Sequence, residues 1–128
     1  MLTTPKVLQS ENSGNLKPYA LIVDDEVDTC LLIKLFLHKK GIETFQAHSL
    51  REGLSKLENL SPKWVFLDNN LPDGHGIDSI NDIKQMSPQT QIVMITALGK
   101  IKELAFSLGV DKFIEKPLSF ASIEFAIN

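Results

Sequence analysis

Short apolar runs alternate with segments of helical period along most of this sequence, and that alternation constrains the fold more than any other feature. The apolar runs are rich in β-branched or aromatic residues, and Gly, Pro, Ser or Asp separate them from the helical segments. They predict strands at 19–23, 42–46, 64–67, 91–95 and 112–114. Because most of these runs are nearly continuously apolar, they indicate a parallel sheet that is covered by helices on both faces.

The segments between the strands predict five helices. One spans 27–40, with Gly41 as its C-terminal cap, and a second spans 49–59, with Ser49 as its N-cap and Glu52 three residues later. The others are predicted at 77–86, at 98–108 with Gly109 as the cap, and at 119–128. Five βα repeats predict an α/β fold with a doubly wound, five-stranded parallel sheet, which is a flavodoxin-like (βα)5 three-layer sandwich.

The length of 128 residues fits one domain. Residues 1–17 mix polar residues with isolated apolar ones, so we expect a flexible tail there and a single domain at 18–128. The opening segment has no apolar stretch like that of a signal peptide, and the single Cys30 has no partner for an internal disulfide; a soluble, cytoplasmic protein is expected. A net charge of -3 argues against direct binding to nucleic acid or to an anionic membrane.

Polar residues follow four of the five predicted strands. In an open parallel sheet, ligands bind beyond the carboxyl ends of the strands, so these residues are expected to meet at one edge. They are Asp24-Asp25-Glu26, Asp68, Thr96-Ala97 and Glu115-Lys116-Pro117. Carboxylates, a hydroxyl and an ammonium group would therefore converge.

Crowded carboxylates favour a bound cation, and Asp24, Asp25 and Asp68 have the oxygen ligands that Mg²⁺ prefers. A zinc site is not expected, because the histidines lack ligand spacing, and we assign no chemistry to His38, His48 and His75. A carboxylate can also act as a nucleophile and form an acyl phosphate, and Asp68 is the best placed of these residues. Lys116 and the Thr96 hydroxyl would then stabilise the phosphoryl oxygens.

The motifs together resemble the response-regulator receiver family of two-component signalling over residues 19–128. The matching features are the acidic pair after strand one, the lone Asp68, Thr96-Ala97 and Lys116-Pro117. The segment Asp68-Asn69-Asn70-Leu71-Pro72-Asp73-Gly74-His75-Gly76 also resembles the family's loop after the acceptor. Each motif is short, but their order and spacing make the combined signal specific.

The resemblance implies a function as a phosphoacceptor rather than as an enzyme. Asp68 would accept a phosphoryl group from a histidine kinase or a histidine phosphotransfer protein. Mg²⁺, with Mn²⁺ as an alternative, would be bound by Asp25, Asp68 and the backbone carbonyl of Asn70, with Asp24 acting largely through water. The resemblance also implies roles for residues further along the chain: phosphoryl stabilisation by Thr96, Lys116 and the backbone of Ala97, a cis Lys116-Pro117 bond, and a coupled switch of Thr96 and Phe113 that changes the face of helix four, strand five and helix five.

The sequence departs from the family pattern at two places. The segment from Thr96 to Lys116 is about two residues shorter than usual, and His75 stands where the family often has an acidic or other residue. One alternative is therefore a degenerate receiver that acts only as a protein-interaction module. A phosphatase of the haloacid dehalogenase type is disfavoured, because it needs Asp-x-Asp after the first strand and this chain has Asp24-Asp25-Glu26.

Single motifs also have simpler interpretations. The acidic run could cap the first helix, and Phe113 could be a core residue. Leu31 and Leu35 lie on a second apolar stripe of helix one, which predicts a partner-docking surface that the N-terminal tail could cover instead. Phe106, Phe120 and Phe125 either belong to the core or form a homodimer face through helix four, strand five and helix five.

Overall fold

The computed structural model describes residues 18–128, and the predicted tail at 1–17 lies outside the described residues. The strands of the sheet are β1 (Tyr19–Val23), β2 (Glu43–Ala47), β3 (Trp64–Asp68), β4 (Gln91–Thr96) and β5 (Lys112–Glu115). The α-helices are α1 (Val27–Lys39), α2 (Leu50–Leu60), α3 (Ile80–Met86), α4 (Lys102–Leu108) and α5 (Phe120–Ile127). Among the described residues, no helix has both the length and the apolar character that a membrane crossing requires.

The five strands form one sheet in the order β2-β1-β3-β4-β5, and every neighbouring pair is parallel. The strand order reverses next to β1, so β1 and β3 flank the switch point at which ligands bind in such sheets. The predicted doubly wound, five-stranded (βα)5 fold is confirmed. β2 is an edge strand and is less buried than β1 or β3, which explains why its sequence alternates instead of being continuously apolar.

Side chains alternate along the strands and fill two separate cores, one on each face of the sheet. Ala20 and Ile22 of β1 face a core completed by α1 and α5, whereas Leu21 and Val23 face a core completed by α2, α3 and α4. The sheet is therefore the middle layer of three. The polar residues that follow the strands lie at the rim of these layers.

The predicted starts of the third and fourth helices are wrong by three to four residues, and most other predicted bounds differ by one residue. Strand β2 begins at Glu43 because Ile42 instead closes the end of α1: its N–H donates to Leu37 O (3.0 Å), while the N–H of Gly41, at φ +76°, donates to His38 O. The third helix begins as a 3₁₀ turn at Gly76–Ser79, and the fourth begins as another at Gly99–Ile101.

The N-terminus of α2 is capped from two directions. The Ser49 hydroxyl accepts the Glu52 N–H as predicted. Asp73, from the loop after β3, accepts the N–H groups of Leu50 (2.8 Å) and Arg51 (3.0 Å). These two bonds hold the pKa of the Asp73 carboxyl below its ordinary value. The loop that follows Asp68 is therefore fastened to the neighbouring helix.

Candidate functional site

The carboxyl ends of β1, β3, β4 and β5 bring Asp24, Asp68, Thr96 and Lys116 to one rim of the sheet. Asp24 is 0% exposed, and Asp68 and Thr96 are each 4% exposed. The buried position of Asp24 follows from the sheet, because its N–H continues the β1–β2 pairing by donating to Ala47 O (3.0 Å). A cavity at this rim is lined by Asp25, Glu26, Asp68, Asn69, Asn70, His75, Thr96, Ala97, Leu98 and Lys116.

Lys116 is the cation at the centre of this rim. Its Nζ lies 3.0 Å from Asp24 Oδ2, 2.5 Å from Glu26 Oε1 and 3.4 Å from Asp68 Oδ1, and its side chain is 14% exposed. Burial by itself lowers the pKa of Lys116, but the hydrogen bond to Glu26 and the nearby carboxylates of Asp24 and Asp68 outweigh that effect and raise the pKa above its ordinary value. The ammonium group therefore stays charged and compensates part of the acidic charge.

The acidic run does not cap α1 in the usual way. Glu26 occupies the N-cap position without a capping hydrogen bond from its side chain, so the simple capping interpretation is wrong for that residue. Asp24 Oδ1 instead accepts the Glu26 N–H (2.8 Å). Asp24 Oδ2, although close to Lys116, has no partner in hydrogen-bond geometry within the described part of the chain. This buried oxygen is therefore ion-paired with Lys116 but lacks a hydrogen bond.

Asp24, Asp25 and Asp68 form a cluster that can hold a metal ion. One carboxylate oxygen from each lies within 4.8 Å of the other two. Asp25 is exposed, whereas the other two are buried, so the cluster opens toward the cavity. Three carboxylates with an unsatisfied buried oxygen suit a hard divalent cation that takes oxygen ligands and keeps some of its water.

The two buried carboxylates are costly to ionise. Burial, followed by repulsion from Asp24, raises the pKa of Asp68 from 3.8 to about 6. Burial also raises the pKa of Asp24. Glu26 lies outside this buried pair, and its hydrogen bond to Lys116 lowers its pKa. The electrostatics thus concentrate negative charge at Asp68 and Asp24, where a bound cation would be stabilised.

The loop after Asp68 is held close to that residue by backbone contacts. Asn70–Leu71 pairs with Gly74–His75 in a short antiparallel hairpin. The N–H of Gly76 donates to Asn69 O (2.9 Å), and the N–H of Ile77 donates to Asn69 Oδ1 (3.0 Å). A Cβ on Gly76 would lie 2.2 Å from the backbone oxygen of Asp68, so only glycine permits this approach.

We expect Gly76→Ala to lower the free energy of unfolding by about 1–3 kcal/mol, because the added methyl group forces the loop away from Asp68. Urea unfolding would measure the loss. In the control Gly41→Ala, the new Cβ meets nothing within 4 Å, and the cost is only that of the positive φ, about 1 kcal/mol. Equal losses in both variants would contradict the steric explanation.

The structure also gives the positions of Thr96, Ala97, Phe113 and Pro117, which the sequence assigns to the site or its switch. The Thr96 hydroxyl faces the loop, where its Oγ1 accepts the Leu98 N–H (3.0 Å), and exposed Ala97 lines the cavity. Phe113 is half-buried against the core on the α4 side, 6.4 Å from the Phe106 ring centroid. The Lys116-Pro117 peptide bond is cis.

The predicted docking residues lie away from this cavity. Leu31 and Leu35 are 50% and 49% exposed on α1, while Cys30, Ile33, Phe36 and Leu37 of the same helix are buried. Burial raises the pKa of the Cys30 thiol to about 11, so this cysteine is a packing residue. Phe106, Phe120 and Phe125 are each partly exposed and are not core residues.

Four residues that line the cavity were given no role in the site from the sequence: Glu26, Asn69, His75 and Leu98. Glu26 was known only as the end of an acidic run, but it pairs with Lys116. Asn69 and His75 line the cavity, and both come from the loop after Asp68. Their positions next to the acceptor were a signal, but nothing in the sequence distinguished a loop residue that faces the cavity from one that faces solvent.

Comparison with known proteins places this geometry in a family. The family model for the response regulator receiver domain matches residues 20–128. The chemotaxis protein CheY of Thermotoga maritima is 32% identical over 111 residues, which cover 84% of this chain and 92% of that protein. The response regulator protein PilR of Pseudomonas aeruginosa is 34% identical over 106 residues, which cover 81% of this chain.

The matched region covers different shares of the relatives' own lengths. The matched region spans 24% of PilR and 47% of the transcriptional regulatory protein KdpE of Escherichia coli. Among solved structures, a CheY-like receiver domain from Methanospirillum hungatei superposes with a TM-score of 0.81 at 26% identity, covering 88% of this chain and 91% of that one. The similarity thus extends across the whole sheet and its helices.

Proposed function

This chain belongs to the receiver domain family of two-component response regulators, and we propose that it accepts a phosphoryl group on Asp68 in a Mg²⁺-dependent reaction. The donor would be a histidine kinase or a histidine phosphotransfer protein. The observation that carries the proposal is the position of Asp68: a buried carboxylate 3.4 Å from the Lys116 ammonium, within 4.8 Å of two other carboxylates, at a cavity open to solvent.

The acidic cluster fits the metal that the family implies. Asp25, Asp68 and the backbone carbonyl of Asn70 would hold Mg²⁺, and Asp24 would contribute largely through water. When bound, the ion would neutralise charge on the carboxylates and on the phosphoryl oxygens. Mn²⁺ has the same preference for oxygen ligands and is expected to substitute.

Apart from the metal ion, the groups that would carry out phosphoryl transfer are the protein's own. A carboxylate oxygen of Asp68 forms the new bond to phosphorus as the nitrogen–phosphorus bond of the donor histidine breaks, and that nitrogen leaves as part of a neutral imidazole. Lys116 pairs with the transferred phosphoryl group, and the Thr96 hydroxyl and the backbone N–H of Ala97 donate hydrogen bonds to it. Since the donor is used once per transfer, the chain acts as a phosphoacceptor that assists its own modification and not as an enzyme.

Phosphorylation of Asp68 would change the protein surface through the contacts of Thr96. The Thr96 hydroxyl now accepts the Leu98 N–H, and it would leave that bond on turning toward a phosphoryl group. Half-buried Phe113, one strand away, would then turn inward and shift the populations of the face formed by α4, β5 and α5. That face would bind the downstream partner or a second copy of the chain, and the α1 stripe of Leu31 and Leu35 would contact the donor.

We expect one labile phosphoryl increment by intact-mass analysis after incubation with acetyl phosphate and Mg²⁺. The increment should disappear when EDTA replaces Mg²⁺ and return when Mn²⁺ is added. Because acetyl phosphate is a small-molecule phosphodonor, the experiment tests Asp68 without requiring the cognate kinase. If the folded protein takes no phosphoryl group while another receiver does so in parallel, the chain is instead a degenerate receiver that only binds other proteins.

A further inference from the structure

His75 is an exposed residue that lines the candidate site. The same cavity is lined by Asp68, Thr96 and Lys116. It comes from the short hairpin, in which it pairs with Asn70 across from the acceptor strand. His75 is therefore part of the wall of the cavity that contains Asp68.

The backbone at His75 is held in place by its neighbours. The next residue, Gly76, is buried against the backbone oxygen of Asp68 and donates its N–H to Asn69 O (2.9 Å). On the other side, Gly74 pairs with Leu71, a core residue. The backbone of His75 is thus held in place next to Gly76, which contacts the backbone of Asp68. The imidazole can move only by rotation about its own side-chain torsions.

Three other polar groups of the cavity wall are already engaged within the described residues. Lys116 contacts Asp24 and Glu26, the Thr96 hydroxyl accepts the Leu98 N–H, and Asn69 Oδ1 accepts the Ile77 N–H. The His75 imidazole has no hydrogen-bond or ion-pair partner among residues 18–128. A neutral imidazole offers one donor and one acceptor nitrogen, which is the combination that a bound water molecule needs.

We propose that His75 is a positioning residue for hydrolysis of the aspartyl phosphate, and that it sets the lifetime of the phosphorylated state by holding the attacking water. This inference depends on the proposed function of Asp68. In the step, the water oxygen forms a bond to phosphorus while the bond between phosphorus and the Asp68 carboxylate oxygen breaks. Asp68 leaves as a carboxylate, and the water's protons pass to the inorganic phosphate and to the buffer.

The test compares how fast the phosphoryl group is lost. Wild type, His75→Ala and His75→Gln are loaded with acetyl phosphate and Mg²⁺, freed of the donor on a desalting column, and followed by intact mass. We expect His75→Ala to retain the phosphoryl group about tenfold longer than wild type, since a lost positioning group costs less than full acid–base catalysis. His75→Gln, which keeps a hydrogen-bond acceptor, should lie between them. His38→Ala removes an exposed imidazole from α1, outside the cavity, and should match wild type.

The outcomes separate the two proposals. If wild type takes up no phosphoryl group, the proposed function and this inference both fail. If wild type and His75→Ala load equally and lose the group at the same rate, the acceptor role of Asp68 stands and the role of His75 is wrong. If loading rate, urea unfolding midpoint and lifetime all change together in His75→Ala, the residue has a structural role and the inference is also overturned.

Discussion

Asp68→Asn is expected to abolish uptake of the phosphoryl group from acetyl phosphate and, without metal, to make the folded protein more stable at pH 7.5. The amide has no nucleophilic carboxylate, so no acyl phosphate can form. It also has no charge to bury beside Asp24. Asp82→Asn, which changes an exposed carboxylate in the first turn of α3, is the matched control and should take up the phosphoryl group normally.

The gain in stability follows from the raised pKa of Asp68. Because that pKa is about 6 when folded and 3.8 ordinarily, the folded state holds the proton more tightly. The stabilising effect of the protonated carboxyl is complete below the ordinary value and is lost as the pH rises through about 6. Above that pH the buried carboxylate costs on the order of 2–3 kcal/mol, which the amide avoids.

Urea unfolding in EDTA at pH 7.5 and at pH 5 would measure this cost. The advantage of Asp68→Asn should be largest at pH 7.5 and should shrink at pH 5, where part of the wild type carries the proton. Adding Mg²⁺ at pH 7.5 should also reduce the stability advantage of Asp68→Asn over wild type, because a cation bound to wild type offsets the charge of Asp68. An advantage that does not depend on pH would mean that the ionisation of Asp68 is not its cause.

Lys116→Met is expected to lower the free energy of unfolding by about 3 kcal/mol at pH 7.5 in the absence of metal. The ammonium group lies within 3.4 Å of three carboxylates, and two of them, Asp24 and Asp68, are buried. Methionine fills a similar volume but leaves those charges without their protein cation. Phosphoryl uptake should also fall at least tenfold, because the transferred group loses its ion-pair partner.

A second substitution separates the loss of charge balance from a packing defect. Lys116→Met combined with Asp24→Asn should regain much of the lost stability, because one of the uncompensated charges is gone, but it should not regain phosphoryl uptake. Lys102→Met, at an exposed lysine in α4, should change neither property. If Lys116→Met unfolds at the wild-type urea concentration in EDTA, then the ion pairs around Lys116 contribute nothing measurable to the folded state.

The sequence by itself determined the layer architecture and the rim at which the chemistry gathers. Continuous apolar strands such as Trp64–Asp68 need cover on both faces, and strands that run in parallel must end at the same edge. The residues that follow them, Asp24, Asp68, Thr96 and Lys116, could therefore be placed together before any distance was known. Caps such as Gly41 and Ser49 were also predictable, since their backbone requirements are local.

Contacts between distant segments were decided only by the tertiary structure. The pairing of Glu26 with Lys116, the second cap that Asp73 supplies to α2, and the exposure of His75 at the cavity depend on how loops from different strands meet. The helix starts at residues 77 and 98 were mispredicted because 3₁₀ turns at Gly76–Ser79 and Gly99–Ile101 replaced the first α-helical turn, and in the former the Ile77 N–H donates to Asn69. The spacing of apolar residues in the sequence indicates which face of a helix or strand is buried. Hydrogen bonds between loops depend on the relative positions of the strands that carry those loops, and only the packed sheet determines these positions.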